Sequence, residues 1–289
     1  MKLLEKILLA TDFNKSTDNV VKYVIVLAKT FQSEITLMYV LPDNIKNKKS
    51  ELLLKEAAIK RLETINDRIK GEDVKTEKPI LEHGNISDRI IQTAYSIKAN
   101  VILIGAGEKQ ENDAFQLGIT AREIIRKSDK PIWVIKNNSS LSIKNILCPV
   151  DFSSVSKRAL KNAISLAHIF KAKLIIFSVY RINRYTPLSS KMDWDEENER
   201  KASEQIKNFN LFLADFNLKD LNWNKEIIGG DATTEIRRAI TRNKSDLNIM
   251  GTSGKTGLSR FILGSVTEKV IREVPTSFIT LKSEDIIDL

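Results

Sequence analysis

The sequence is poor in the residue types from which many enzyme sites are built. It has one cysteine, Cys148, and two histidines, His83 and His168, in 289 residues. A lone cysteine forms no intrachain disulfide, and the apolar neighbours of Cys148 predict a small buried side chain without a redox role. No Cys/His cluster has metal-ligand spacing, and no G-x-S-x-G motif occurs. We therefore expect no catalytic residue of these classes and no metal held by protein ligands.

Long hydrophobic runs are missing as well. The apolar stretch from Val101 to Ala106 is far shorter than the ~18 to 20 residues that cross a bilayer. At the N-terminus, Glu5 and Lys6 split the apolar run, and Asp12 stands where a signal peptide needs a small residue. We expect a cytoplasmic protein without a membrane segment.

Acidic residues are too few to balance the basic ones. The 46 Lys and Arg residues against 37 Asp and Glu residues give a net charge of +9. A basic excess can mark nucleic-acid binding, yet the densest cluster, Lys46, Lys48 and Lys49, has no aromatic residue interleaved for base stacking. We interpret the excess as a solvated lysine-rich surface and predict no nucleic-acid partner.

An internal repeat organises the chain. The segment Lys6–Phe13, KILLATDF, returns as Asn145–Phe152, NILCPVDF, 139 residues later. Further matches lie 146 residues apart and pair Gly84 with Gly230, Gly105 with Gly251, Gly118 with Gly264 and Arg126 with Arg272. The change of register predicts a seven-residue insertion in the second copy, near residues 183 to 195. An internal repeat determines how the chain divides into domains, so it is considered before the individual strands and helices.

Each copy alternates strand-length apolar runs with helix-period segments. We predict strands at 4–11, 34–40, 74–81, 101–105 and 131–136, and at 143–150, 173–180, 222–228, 246–251 and 276–282. Runs apolar on consecutive residues, such as Val101–Ile104, are typical of parallel strands buried on both faces. The predicted fold is α/β, with two tandem doubly wound parallel five-stranded sheets. One domain spans residues 1–138 and the other 143–289, joined by a polar linker.

A glycine-rich segment follows the fourth strand of the second copy. In doubly wound sheets ligands bind outside the carboxyl ends of the strands, so residues after the first and fourth strands are the first candidates. There the glycines form the pattern G-x2-G-x9-G-S with Gly251, Gly254, Gly264 and Ser265. Glycines let backbone amides approach phosphate oxygens, and a helix beginning at the last pair offers N–H groups to an anion.

Other interpretations of this segment were weighed. A P-loop needs a glycine five residues before Gly254, where Ile249 stands, and no G-x-G-x-x-G follows a first strand. The stretch Ser265–Glu268 also fits a capping box, which would make Ser265 a helix cap. Capping and anion binding are compatible, but capping leaves the nine-residue loop unexplained.

These residues resemble the universal stress protein family, whose ATP-binding branch has this glycine pattern and an aspartate after the first strand. The resemblance spans nearly the whole chain and implies strand order 3-2-1-4-5 in each domain. It implies that Asp151 contacts adenine or ribose, that the backbone of Val179 holds adenine, and that the glycine motif with its serine holds ribose and phosphates. Val150 and Thr252 flank these positions. The implied cofactor is ATP, with magnesium bound through its phosphates.

The first copy departs from this pattern. It has Glu108 where the second has Gly254 and Ile119 where the second has Ser265, although Gly105 and Gly118 are kept. An acidic side chain repels a polyanion, so triphosphate binding there is doubtful. Asp12 and Val40 are retained, which leaves the nucleoside half of a pocket. We expect one competent site, in the second copy.

The resulting functional hypothesis is a regulatory protein of the stress response that binds an adenine nucleotide. Without a placed base or arginine finger, ATP hydrolysis is expected to be slow if it occurs. A slow ATPase or nucleotidyl-transfer enzyme is the alternative, and a ligand-free interaction module is the second. His168 is expected to pack or face solvent, while His83 ends the third strand near the ligand edge.

Family resemblance also implies pairing through last strands. Residues Ile132–Ile135 and Phe278–Leu281 would then join the two domains into an intrachain pseudo-dimer. Whether two chains pair again as a homodimer is left open by the sequence. An uncovered apolar edge strand would otherwise invite aggregation.

Overall fold

The computed structural model describes residues 4–43, 45, 47–107, 117–136, 139–182, 191–252, 263–273 and 276–282, without the side chains of 191–194. Strands and helices alternate through both copies. The first copy contains β1 (Lys6–Ala10), α1 (Thr17–Phe31), β2 (Glu34–Leu41), α2 (Lys48–Lys70), β3 (Lys75–Thr76), β4 (Ile80–His83), α3 (Ile86–Ser96), β5 (Val101–Gly105), α4 (Ile119–Lys127) and β6 (Ile132–Ile135). The second contains β7 (Asn145–Pro149), α5 (Ser154–Phe170), β8 (Lys173–Tyr180), α6 (Lys191–Leu213), β9 (Trp223–Gly229), α7 (Ala232–Arg242), β10 (Leu247–Gly251), α8 (Ser265–Glu273) and β11 (Ser277–Leu281).

The predicted α/β fold is confirmed, with one correction. The single strand predicted at 74–81 is two short strands, β3 and β4, which pair with different parts of β2. Pro79 lies between them and has no backbone N–H to donate to a ladder. The Glu77 N–H still reaches the Ile35 carbonyl at 2.9 Å, so the interruption is local.

Residues cluster in space into two compact units. The first contains the described residues up to Leu141 together with 276–280, and the second contains those from Ser142 to Glu273 together with 281 and 282. The boundaries proposed at 138 and 143 stay predictions. The insertion proposed near residues 183 to 195 falls largely outside the described residues.

The first unit has the expected strand order. Its parallel strands run β4, β2, β1, β5, β6, with β3 also on β2, which is third-second-first-fourth-fifth along the sequence. The strand β11 adds to β6 in antiparallel orientation, placing Phe278 opposite Val134 and Thr280 opposite Ile132. This strand belongs to the second copy by sequence and to the first unit by its contacts.

In the second unit the parallel strands run β9, β8, β7, β10, the same order for the first four strands. Consecutive residues of the central strands are buried, as in Ile146–Cys148 and Ile175–Phe177. Unbroken burial along a strand requires cover on both faces of the sheet, and α7 covers one of them, with Ile236 and Ile240 clustered against Leu147, Ile175 and Phe177. Cys148 is fully buried, and burial raises the pKa of its thiol.

The repeat is visible in backbone detail. The helices α1 and α5 both end on a residue in left-handed conformation, Gln32 at φ 55° and Lys171 at φ 51°, which are 139 positions apart. A left-handed residue ends a helix because it turns the chain away while its N–H still reaches a carbonyl of the last turn. None of the described helices is long and apolar enough to span a bilayer.

A lysine is buried near the end of β6. The side chain of Lys136 is inaccessible to solvent, and its ammonium lies 5.7 Å from the centre of the Phe278 ring. Its backbone N–H donates to the Ser277 hydroxyl at 3.1 Å. Burial penalises the charged amine and lowers the pKa of Lys136 from 10.5 to about 8.

Replacing this lysine should change the pH dependence of stability. Between pH 8 and 10.5 the unfolded chain binds more protons at this residue than the folded one, so its destabilising contribution fades as pH rises. We expect Lys136→Met to raise the free energy of unfolding at pH 7 by up to about 3 kcal/mol, and by almost nothing at pH 10.5. Urea unfolding at both pH values measures this. A difference independent of pH would contradict it.

Candidate functional site

The second unit contains a cavity of about 450 Å³ at the carboxyl ends of its strands. Residues following β7 and β10, with the beginning of α8, line one side, and the end of β8 lines the other. Six of the eight residues predicted for the nucleotide site lie in this lining: Val150, Asp151, Val179, Gly251, Gly264 and Ser265. The volume falls within the roughly 300 to 1,000 Å³ of small-molecule sites.

A strained turn positions Asp151. The next residue, Phe152, has φ 65°, and in the first unit Phe13 has φ 58° after Asp12. Left-handed backbone is a genuine outlier for a bulky side chain and costs on the order of 1 to 3 kcal/mol. Backbone strain of this kind clusters at functional sites. Because it occurs at the matching position of both copies, the strained turn is a feature that the two copies share.

Hydrogen bonds within the turn hold the carboxylate. Its Oδ1 accepts from the N–H and the hydroxyl of Ser153, at 3.1 and 2.5 Å. Ser153 in turn caps α5, because its hydroxyl oxygen accepts from the Ser156 N–H at 3.2 Å. Asp151, which lines the cavity, is therefore held in place by the same contacts that begin the helix.

Aromatic packing holds the strained residue. The Phe152 ring lies 5.6 Å from that of Phe209 and 5.3 Å from that of Phe212, both on α6. In the first unit Phe13 lies 4.6 Å from the Tyr39 ring, with the Arg61 guanidinium 5.1 Å from its centre. Aromatic pairs of this geometry contribute roughly 0.5 to 1.5 kcal/mol each, which offsets the backbone cost.

The helix α8 begins at the edge of the cavity. It starts at Ser265 itself, and the Glu268 N–H donates to the Gly264 carbonyl at 2.8 Å. A capping box with Ser265 as the cap requires the helix to begin one residue later, at position 266. The structure instead has Ser265 as the first helical residue. The first-turn N–H groups have no partner within the helix, so they are available to an anion. A hydroxyl from Ser265 stands beside them.

Thr252 differs from the other predicted residues. Its side chain is buried away from the cavity, and its hydroxyl donates to the Leu281 carbonyl at 3.1 Å. Its own carbonyl accepts from the Gly264 N–H at 2.6 Å, so Thr252 anchors the beginning of α8. Gly254 and its counterpart Glu108 lie outside the described residues.

The lining also contains residues that were not singled out from the sequence, among them Arg181 and Ser156. Arg181 lies just beyond β8, two positions after Val179, and it is the one basic side chain among the described residues that line the cavity. Ser156 lines the cavity from the first turn of α5. Counting past the end of the second strand would have found Arg181, because that position reaches the same edge as Asp151.

The first unit has its own cavity, of about 270 Å³, in the matching place. Asp12, Val40, Gly105 and Gly118 all line it. Ile119, which replaces the serine of the second unit, also lines it. The two copies thus keep the same framework and differ in side chains.

The histidine at the end of the third strand is not part of this lining. Its Nδ1 lies 3.0 Å from an Asp43 carboxylate oxygen, and Nε2 lies 3.9 Å from Glu51. The lining found among described residues does not include His83. Within the described part of the chain, no three His, Cys, Asp or Glu side chains are grouped closely enough to hold a metal ion.

Comparison with known proteins gives the class of this fold. The model of the universal stress protein family matches the chain twice, over residues 4–136 and 142–282. A universal stress protein of Methanocaldococcus jannaschii is 32% identical over 152 residues, which are 52% of this chain and 87% of that protein. These matches show that the chain, with its tandem parallel α/β fold, belongs to the universal stress protein family.

Solved structures agree on the fold. The crystal structure of a universal stress protein from Archaeoglobus fulgidus has a TM-score of 0.73 at 20% identity, covering 96% of this chain and 98% of that one. A functionally unknown protein from Pseudomonas aeruginosa has a TM-score of 0.72 at 17% identity, covering 99% of this chain and 95% of its own. Both are similar to this chain over its whole length.

The glycine that ends β10 can be tested for its packing role. A Cβ on Gly251 would lie 2.8 Å from Val155 Cγ1 and 3.4 Å from its backbone carbonyl carbon. We expect Gly251→Ala to lower the free energy of unfolding by about 1 to 3 kcal/mol through overpacking, measured by urea unfolding.

Gly105→Ala is the matched control. There the nearest atom, Val20 Cγ2, lies at 3.4 Å, so the cost should be smaller. In a Val155→Ala background, Gly251→Ala should lower the free energy of unfolding by less than it does in the wild-type protein. Equal losses at the two glycines would contradict the packing argument.

Proposed function

We propose that the protein is a regulator of the stress response that binds ATP, or another adenine nucleotide, in the cavity of its second unit. One observation carries the proposal: the carboxylate of Asp151, the glycine backbone at Gly251 and Gly264, and the beginning of α8 line a single cavity of nucleotide-site size. The family assignment is consistent with it.

Each part of the lining suits a part of the ligand. A carboxylate accepts hydrogen bonds from ribose hydroxyls, and the strand-end backbone at Val179 offers the edge pairing that an adenine ring needs. N–H groups at the beginning of α8 and the Ser265 hydroxyl suit phosphate oxygens. Arg181 adds a planar cation that pairs well with phosphate. Magnesium would bind through the phosphates.

The same lining argues for slow chemistry at most. Among the described lining residues the charged side chains are Asp151 and Arg181, and Ser153 already engages the carboxylate. Phosphoryl transfer depends on an oriented nucleophile and a stabilised transition-state charge. We therefore propose a binding and signalling role, with a slow ATPase or nucleotidyl-transfer enzyme as the alternative and a ligand-free interaction module as the second.

We further propose that the first copy acts in pairing or regulation, within a cytoplasmic protein. Support for pairing comes from β11, which adds antiparallel to β6 and so covers an edge that would otherwise be open. Association of two chains as a homodimer is an extension of this proposal that sedimentation would test.

Calorimetry with Mg-ATP tests the proposed site. We expect one tight site per chain, and Asp151→Asn should weaken it at least about tenfold, since hydrogen bonds to a charged group contribute about 1.5 to 3 kcal/mol. Asp12→Asn, the same change at the matching position, should leave ATP affinity unaltered.

Two equal tight sites, or loss of all ATP binding in Asp12→Asn, would overturn the proposal. Absence of any adenine nucleotide binding would favour the interaction module.

Turnover separates the regulator from the enzyme. We expect phosphate release from ATP to stay near background in the wild-type protein. Gly254→Glu copies the Glu108 of the first copy and should abolish ATP binding by charge repulsion. Turnover far above background that disappears in Gly254→Glu would favour the enzyme, as read by a phosphate-release assay.

A further inference from the structure

The cavity of the first unit differs in charge from that of the second. Among the described residues that line it, Asp12 is the one charged side chain, and no lysine or arginine accompanies it. At the position that matches Arg181, this cavity is lined by Pro42. A phosphate entering it would meet the Asp12 carboxylate, and the described lining offers no cation in compensation, because the Arg61 guanidinium over the Phe13 ring is not part of that lining.

At the end of the cavity that corresponds to the phosphate side, the described lining is largely apolar. Ile119 occupies the first position of α4 and is 71% exposed. Its counterpart in the second unit is a serine. The backbone N–H groups of a helix start remain, but the branched side chain adds apolar surface where an anion would need hydrogen bonds. This end favours an uncharged ligand.

The opposite end has the groups that bind a sugar. Asp12 accepts from the Asn14 N–H at 3.2 Å and from its side-chain amide at 3.0 Å. A carboxylate has about four acceptor positions, so two remain for ligand hydroxyls. Nearby, Thr11 and Thr17 line the cavity with their hydroxyl groups 3.4 Å apart.

Tyr39 places a phenol in this cavity at a position where the second unit has Ser178, and the ring that Phe177 brings to the second cavity carries no hydroxyl. Tyr39 lines this cavity, whereas Ser178 at the matching position donates to the Val150 carbonyl at 2.9 Å. Burial, with the charge of Asp12 as a smaller contribution, raises the pKa of Tyr39, so its hydroxyl stays protonated and can donate. A flat heterocycle could stack on the ring or accept from the hydroxyl.

The volume of the first cavity also favours a small, uncharged ligand. The volume of about 270 Å³ is smaller than the 450 Å³ of the second unit. It lies just below the roughly 300 to 1,000 Å³ of small-molecule sites, which favours a ligand smaller than a nucleotide.

From these observations we propose that the first unit binds an uncharged nucleoside, and that it selects against the corresponding nucleotides. Asp12 holds the ribose hydroxyls and Tyr39 meets the base. The proposal concerns a second site and does not require that the second unit binds ATP.

The test uses the full chain and four probes, adenosine, guanosine, cytidine and uridine, each with its 5′-monophosphate. Calorimetry should show at least one nucleoside bound, with its monophosphate at least about tenfold weaker at the same site. Hydrogen exchange should slow in the peptide spanning residues 10–20 and not in the one spanning 149–160, which identifies the unit that binds.

Substitutions then identify the groups. Asp12→Asn keeps the size of the side chain and should weaken the nucleoside about tenfold or more. Tyr39→Ser copies the second unit and should also cost about tenfold or more, through the lost base contact and through the lost packing on Phe13, which supports the turn of Asp12. The control is Asp73→Asn, an exposed residue of the same unit with the same change in charge, which should leave nucleoside affinity unaltered.

Clear outcomes overturn the inference. Failure of all four nucleosides to bind at millimolar concentration would do so, as would equal affinity for nucleoside and monophosphate in this unit. Protection confined to residues 149–160 would place the nucleoside in the other cavity and would also refute it. If a nucleoside binds in an Asp12-dependent way while ATP binds nowhere, the inference stands and the proposed function of the second unit fails.

Discussion

The turn after the first strand of each copy forces a phenylalanine into left-handed backbone, and the site geometry depends on it. With Phe13 and Phe152 in this conformation, the preceding aspartate lines the cavity at the carboxyl edge of the sheet, just before the next helix begins. Aromatic neighbours from β2 in one unit and from α6 in the other hold the strained residue. Different contacts thus maintain one backbone shape, which shows that the shape of the turn is the common requirement.

On this shared framework the two cavities differ in charge and size. Arg181 beside Asp151 gives the second cavity both signs of charge, whereas the first cavity has Asp12 alone among its described lining residues. The exchange of Ser265 for Ile119 acts in the same direction at the helix start. Both differences are in line with the proposals that the second cavity takes an anionic ligand and the first an uncharged one. This is how a duplicated fold can supply two distinct binding preferences without a change in topology.

Much of the fold could be read from the sequence because its signals are local. The alternation of apolar runs with helix-period segments placed the bounds of β8, and the Asp-Phe repeat placed Asp12 and Asp151 just after the first strand of each copy. The sequence analysis did not predict the split into β3 and β4, although Pro79 lies between them. The effect of a missing backbone N–H depends on which neighbouring strand it would have bonded to, and the local sequence does not show that neighbour. Thr252, a candidate that flanks the glycine positions, has a hydroxyl that donates to the Leu281 carbonyl, a partner 29 positions away. Local pattern carries no information about such partners.

By itself the sequence determined the repeat, the class of fold and the edge of the sheet at which a site would form, because periodicity and the order of strands and helices follow from neighbouring residues. The tertiary structure decided which side chains meet there. Arg181 lines the second cavity, whereas Thr252 does not. Most of β11 belongs to the first unit, although its sequence belongs to the second copy. The physical reason is that charge balance and edge pairing depend on contacts between residues far apart in the chain, which only the folded backbone brings together.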